Sequence, residues 1–256
     1  MFFLAWPVVV HAQQPFLTDD ADVTSPGAFH LELLTEHDLL QHTAYPHLRQ
    51  TTTRLQFTYG LSKHLEVGVD GPMIQIVNAT ASHLDNAFGL GDVDFQAKYC
   101  LWAEREGSRR PAISFAFAME LPTGNTTNQL GSGIADYWLN GIVQKSLGAR
   151  TTLRINTGIL FSGNTLTGVI GVQSARGAVF TGGSSITHKL GERWIIGVEI
   201  AGALTQQFEL GKGQLQVQFG GKFALRKRVS LDYAVTGGRF EGSPRLGGAL
   251  GLSVDF

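Results

Sequence analysis

The fold is decided by residues 247–256, which read Gly-Gly-Ala-Leu-Gly-Leu-Ser-Val-Asp-Phe. Apolar side chains fall on every second position, at Leu250, Leu252, Val254 and Phe256, and small or polar residues lie between them. This period of two predicts a β-strand with one apolar and one polar face. A final Phe on the apolar face is the typical assembly signal of the closing strand of a bacterial outer-membrane barrel. We therefore expect the rest of the chain to supply the other strands.

Composition supports a membrane barrel and excludes several other classes of protein. Charged residues make up 16% of the chain, well below the quarter that is usual in soluble domains, and 32 of the 256 residues are Gly. The mean hydropathy is only +0.03, and no run approaches the ~20 apolar residues that a membrane-spanning helix needs. The net charge of −1 gives no reason to expect nucleic acid. The single Cys100 excludes an internal disulfide framework.

The start of the chain predicts export. Residues 1–12 contain a short apolar core that ends at Ala12, as in a signal peptide. This segment lacks a basic start and contains Pro7, which a true start further upstream would explain. Residues 13–27 are polar, acidic and rich in turn formers, and they predict a periplasmic lead-in. Residues 28–256 would then form the barrel.

Short connections recur between the predicted strands, and they contain basic residues. Five of them occur, at residues 61–64, 104–110, 146–150, 189–193 and 225–228. Three contain a similar Leu-(Gly/Ser)-x-(Arg/His) pattern, and their leucines, Leu61, Leu147 and Leu190, are spaced by 86 and 43 residues. A unit of 43 residues is the length of two strands with their two connections.

The alternate connections are longer and rich in Gly, Asn, Thr and His. They lie at residues 39–49, 78–90, 123–134, 162–176, 206–212 and 239–245. Short turns on one rim and long loops on the other are typical of outer-membrane proteins, in the periplasm and outside the cell respectively. Six long and five short connections predict an all-β fold, an up-and-down antiparallel transmembrane barrel of twelve strands. The fourth strand would run from Asp92 to Trp102, and the closing strand would lie beside the strand that begins near Ala28.

The alternation also separates the two faces of the wall. An Arg or Lys facing lipid near the middle of the membrane costs about 2–4 kcal/mol, so ionisable residues within strands should face inward. The predicted lumen-lining residues are Glu32, Arg54, Glu66, Asp70, Asp94, Lys98, Glu120, Arg154, Glu199, Lys222 and Asp232. The predicted aromatic girdle is Tyr59, Tyr99, Tyr137, Trp194 and Tyr233. The inward charges either line a narrow conduit that filters solutes or pair across the lumen and fill it.

Two other kinds of site can be weighed from the sequence. His37, His42 and His47 lie five residues apart in or beside the first long loop and could gather a metal, although such loop histidines are usually solvated. Ser184 and His188 lie four apart on one strand, about 13 Å from each other, too far for a direct catalytic pair. Neither HExxH nor GxSxG occurs. We therefore expect no enzyme activity, no metal and no cofactor, with a lipid-active outer-membrane enzyme as the second alternative.

Three stretches resemble the outer-membrane β-barrel family of transporters of the MetA pathway of phenol degradation. They are residues 15–20 with Pro26-Gly27, residues 89–93 with 97–99, and residues 121–125 with 136–137 and 144–148. The resemblance covers nearly the whole mature chain. It implies a barrel that passes small organic solutes, including aromatic or hydrophobic ones, and we transfer no binding residue from it.

The resulting hypothesis is a porin-like channel or transporter for small solutes in the outer membrane of a Gram-negative bacterium. Its expected partners are outer-membrane lipid and lipopolysaccharide, the solute, and the barrel assembly machinery through the strand that ends at Phe256. The first alternative is a barrel with a filled lumen that serves a structural or surface-interaction role.

Overall fold

The computed structural model describes residues 15–42, 48–78, 86–128, 130–131, 133–162, 177–204, 213–240 and 242–256. The predicted signal segment, residues 1–12, and parts of the long connections lie outside these ranges. Within them, no helix is long and apolar enough to cross a membrane.

The described residues form an all-β structure, as predicted. The strands are β1 Phe29–Leu39, β2 Leu48–Gly60, β3 Leu65–Asn78, β4 Ala87–Leu90, β5 Val93–Trp102, β6 Ala112–Leu121, β7 Asp136–Ser146, β8 Thr151–Ser162, β9 Gly177–Leu190, β10 Trp194–Leu204, β11 Gln214–Arg226, β12 Val229–Gly238 and β13 Leu246–Asp255.

Strands that are neighbours in sequence pair antiparallel, except that β4 and β5 both pair with β3, and β1 pairs with β13, so that the sheet closes into a barrel. At the seam, His30 pairs with Asp255 and Leu39 with Leu246. Closure pairs the first and last strands with each other, and a wall in lipid needs such pairing because water is absent there to satisfy backbone groups. The five predicted short turns and six long connections fall at the junctions between these strands, apart from residues 87–90, which form β4.

The fourth strand of the barrel is interrupted. β3 pairs with β5 through residues 65–70 and with β4 through residues 73–76, so β4 and β5 together fill one position in a twelve-stranded wall. The predicted count of twelve is confirmed, but residues 87–90 were expected to be loop. A Cβ on Gly91, at the interruption, would meet Ile74 Cδ1 at 2.7 Å, so the chain passes there closer than a larger residue allows.

The outer face of the wall is an apolar belt. Its side chains include Phe115 and Phe219, which expose 54% and 64% of their surface to the membrane side. Aromatic rings cluster at the short-turn rim, where Trp194 lies 4.4 Å from Phe223 and 6.0 Å from Tyr233 between ring centroids. Tyr137 lies at the opposite rim, 6.5 Å from Phe117. These positions are those of the girdles that flank the hydrocarbon region.

The residues before β1 do not remain outside the barrel. Residues 15–26, called the internal segment from here on, enter at the short-turn rim, where Gly27 N donates to Gly60 O at 2.8 Å. Phe16, Thr18, Asp20 and Ala21 are buried against the inner face of the wall. This location differs from the expected periplasmic lead-in, because the polar groups of the segment find partners among the inward side chains.

Candidate functional site

The barrel interior contains all of the predicted ionisable residues. The inner face carries Glu32, Arg54, Glu66, Asp70, Asp94, Lys98, Glu120, Arg154, Glu199, Lys222 and Asp232. They do not form one site. Some bind the internal segment in the half of the lumen nearest the short turns, some pair along the wall, and the others line a cavity nearer the long connections.

The first half of the internal segment is held by β9 and β10. The backbone N–H groups of Leu17 and Thr18 donate to the two carboxylate oxygens of Glu199, at 2.9 and 2.6 Å. The Thr18 hydroxyl donates to Ser185 Oγ at 2.6 Å. Hydrogen bonds to a charged acceptor are the stronger kind, at roughly 1.5–3 kcal/mol each, so Glu199 anchors this half.

Two glycines make room for the same half of the segment. A Cβ on Gly183 would lie 2.8 Å from Thr18 Cγ2, and a Cβ on Gly197 would lie 2.9 Å from Phe16 Cζ. Both distances are shorter than real carbon contacts allow. The inner faces of β9 and β10 therefore form a shallow recess that fits Phe16 and Thr18.

Lys98 on β5 holds the second half of the segment. Its Nζ lies 3.1 Å from Asp19 Oδ1, 3.3 Å from Asp20 Oδ1 and 3.1 Å from Glu66 Oε1. Thr24 N also donates to Glu66, at 2.6 Å. One buried ammonium thus links two carboxylates of the segment to one on β3, and it offsets charges that would otherwise repel each other in a buried place.

A separate network lies along the wall at the barrel seam. Lys222 Nζ is 3.3 Å from Asp232 Oδ1 and 3.8 Å from Glu32 Oε1. His30 bridges Glu32 Oε1 at 2.9 Å and Asp255 Oδ1 at 2.6 Å. This network joins β1, β11, β12 and β13, and it stabilises the closure of the barrel.

A cavity of about 460 Å³ lies beyond the internal segment, toward the long connections. Leu17 and Thr18 form part of its lining. Arg54 enters it from β2 and donates to Asp70 Oδ2 at 2.7 Å, and Asp94 Oδ2 lies 3.5 Å from the same guanidinium nitrogen. The predicted inward residues thus belong partly to the region that the internal segment occupies and partly to a cavity of small-molecule size.

The predicted set did not include several residues that line the cavity, among them three acidic residues and one tryptophan. These four are Glu36 and Asp38 on β1 and Asp136 and Trp138 on β7. Strand parity could have identified them, because Glu36 and Asp38 are an even number of positions from Glu32. The prediction did not include Glu36 and Asp38 because both lie close to the predicted loop that begins at residue 39. There, alternation alone does not determine where the strand ends.

The alternative catalytic and metal residues are not brought together. Ser184 lies between Ile155 and Ile200 on the neighbouring strands, and His188 Nδ1 is bonded to Thr151 Oγ1 at 2.9 Å. The described residues contain no group of three or more potential metal ligands.

Two of the three loop histidines, His37 and His42, lie within the described residues and contact other side chains. His37 Nδ1 is bonded to Thr51 Oγ1 at 2.8 Å, and His42 contacts Arg245, a cation that disfavours a metal beside it. His47 lies outside the described residues.

Comparison with solved structures shows that the fold of the chain is similar to that of outer-membrane barrels. The COG4313 outer membrane channel from Pseudomonas putida F1 superposes with a TM-score of 0.72 at 13% identity, over 94% of this chain and all of that one. The NanC porin gives a TM-score of 0.58 at 9% identity, over 88% and 98% of the two chains. The KdgM porin gives 0.57 at 10% identity, over 89% and 99%. These likenesses establish the fold.

Comparison by sequence gives a family. No curated protein sequence matches the chain. A family model does match, over residues 18–256, and it includes most of the internal segment as well as the barrel. The chain therefore belongs to the family described as "Putative MetA-pathway of phenol degradation".

Proposed function

We propose that the chain is an outer-membrane channel of a Gram-negative bacterium that passes small solutes, including aromatic or hydrophobic organic ones. The observation that carries the proposal is the cavity of about 460 Å³, lined by both charged and apolar side chains, inside a closed barrel with an apolar outer belt. The family description, which refers to phenol degradation, supports an organic solute. The solved relatives named as channels and porins share this architecture.

The internal segment would control passage along the lumen. It fills the half nearest the short turns, where Glu199 and Lys98 hold it through side-chain contacts with the wall. Such contacts can be exchanged without breaking any strand pairing. A solute that crosses the barrel must therefore pass beside the segment or displace it.

The second candidate function is a structural or surface-interaction barrel with a closed lumen. It is favoured by the same segment and by the ion pairs that Lys98 and Lys222 make across and along the interior. Two measurements distinguish the channel from the closed barrel: ion current in planar bilayers and swelling of solute-loaded vesicles. Both should be measured for the full chain and for a variant that lacks residues 15–24.

A channel gives current and swelling with the full chain, and both increase in the variant. Absence of current and of swelling in both proteins would contradict the channel and favour the closed barrel.

We further propose that the protein contacts outer-membrane lipid and lipopolysaccharide through the apolar belt. The barrel assembly machinery would engage it through β13 and Phe256.

A further inference from the structure

The five short connections carry an excess of positive charge. They hold ten of the 20 Lys and Arg residues of the chain but only three of its 21 Asp and Glu residues. One of these three, Glu104, is paired with Lys145 of the neighbouring strand. The ten basic side chains are all exposed, and they are Lys63, Arg105, Arg109, Arg110, Arg150, Lys189, Arg193, Arg226, Lys227 and Arg228. We call this set the basic ring.

The basic ring follows the rim of the barrel on every side. Its turns join β2 to β3, β5 to β6, β7 to β8, β9 to β10 and β11 to β12, so they alternate with the strand pairs around the wall. The six long connections at the other rim contain five Lys or Arg and three Asp or Glu residues, although they are more than twice as long in total. The excess of basic residues is therefore a property of one rim.

Large apolar side chains accompany the basic residues in all five turns. Leu61, Leu147, Leu190 and Leu225 belong to four of the turns, and Trp102 precedes the fifth. Each of them has between 47% and 52% of its surface exposed. At a bilayer surface, an apolar side chain can enter the acyl region while a neighbouring Lys or Arg extends its charged end to the headgroups. The repeated apolar and basic pairing therefore indicates a lipid surface.

Aromatic side chains place the basic ring at the depth of the headgroups. Trp194 directly follows Arg193 and contacts Phe223, the residue three positions before Arg226. On another side of the barrel, the ring of His64 in the first turn lies 6.2 Å from that of Tyr99. Aromatic girdles lie at the boundary between the hydrocarbon and the headgroups. Basic residues just beyond the girdle consequently lie among the phosphate groups.

We infer that the basic ring binds the phosphate groups of anionic phospholipids in the periplasmic leaflet of the outer membrane. Short turns face the periplasm in barrels of this kind, and basic residues near a bilayer surface attract anionic headgroups. Seven of the ten residues are Arg, whose guanidinium can donate two parallel hydrogen bonds to one phosphate. An acidic protein would contact one sector of the rim, whereas lipids surround all five turns. The inference holds whether or not the barrel conducts.

Trp194 can report which lipid lies beside the basic ring. The variants Trp6→Phe, Trp102→Phe and Trp138→Phe, combined in the full chain, leave it as the single tryptophan. The protein is reconstituted into vesicles of equal parts phosphatidylglycerol and phosphatidylethanolamine, with bromine on the acyl chains of one lipid or the other. Bromine quenches tryptophan fluorescence on contact, so the two measurements give the relative affinity for the two lipids.

We expect phosphatidylglycerol to be preferred at least threefold. The preference should decline in about 1 M salt, because the distance over which charges are screened falls to about 3 Å.

Two matched double variants locate the binding. Arg226→Gln with Arg228→Gln removes two charges from the turn nearest Trp194, and the preference for the anionic lipid should fall by at least half. Arg49→Gln with Arg239→Gln removes two exposed charges from the opposite rim, and the preference should not change. Heat-modifiable mobility in gels shows that both variants are folded.

Equal quenching by the two lipids, or the same preference in both double variants, would overturn the lipid site. Equal quenching together with binding of soluble polyglutamate by the full chain would assign the basic ring to an acidic protein partner instead. Ion current measured on the same proteins keeps the proposals apart. A lost lipid preference with unchanged current would support the site and leave the channel intact.

Discussion

At the scale of single residues, Lys98 has the largest expected effect on stability. The variant Lys98→Met leaves Asp19, Asp20 and Glu66 facing each other without the ammonium that joins them. Removing one member of a buried ion pair costs about 3–5 kcal/mol. We expect the free energy of unfolding to fall by that amount in urea titrations of the barrel in lipid vesicles. Lys63→Met, in the exposed turn after β2, should change little, and equal midpoints for the two variants would contradict the assignment.

Phe256 is the second residue with a specific expectation. Its backbone N–H donates to Phe29 O at 2.9 Å across the seam, and its side chain is 62% exposed at the lipid-facing rim. The variant Phe256→Asp places a charge where an aromatic ring should meet the membrane interface. We expect a reduced fraction of folded, heat-modifiable barrel in outer-membrane preparations, with unchanged synthesis. Phe256→Leu keeps an apolar side chain and should assemble nearly normally, while normal insertion of Phe256→Asp would remove the residue from any role in assembly.

At the scale of elements, the internal segment depends on the glycine recess of β9 and β10. A Cβ on Gly183 would lie only 2.8 Å from Thr18 Cγ2. The branched side chain of Gly183→Val should therefore displace the internal segment. The adjacent Gly182→Val is a matched control, because its Cβ faces outward and would meet only Asn156 O, at 3.6 Å. Both changes favour strand structure, since Val has a high β-propensity. We expect single-channel conductance to rise in Gly183→Val and to stay unchanged in Gly182→Val. Equal conductance of the two variants would show that the segment does not limit passage.

The elements also show how far the sequence could predict the structure. Two sequence patterns predict much of the barrel. The order of short and long connections predicts twelve strands, and alternation along the strands predicts that residues such as Glu199 and Lys222 face inward. The internal segment could not be placed, because it has no periodicity and its partners are remote. Leu17 and Glu199, for example, are 182 positions apart. From the sequence alone, the acidic residues of the segment are typical of a solvated lead-in. Only the structure shows that the segment contacts Lys98 and Glu66.

At the scale of the whole molecule, the apolar belt predicts that the destabilisation caused by a charged substitution on the outer face depends on its depth in the membrane. Phe219 lies near the middle of β11 and is 64% exposed, whereas Leu225 is exposed near the short-turn end of the same strand. An Arg facing lipid costs about 2–4 kcal/mol at the middle of the membrane and about 0–1 kcal/mol near the interface. We therefore expect Phe219→Arg to lower the free energy of unfolding in lipid vesicles by about 2–4 kcal/mol, and Leu225→Arg to lower it by less than about 1 kcal/mol. Denaturant titration followed by tryptophan fluorescence measures both values. Equal costs at the two positions would mean that the outer face of β11 does not cross a hydrocarbon layer, and the transmembrane assignment of the barrel would then fail.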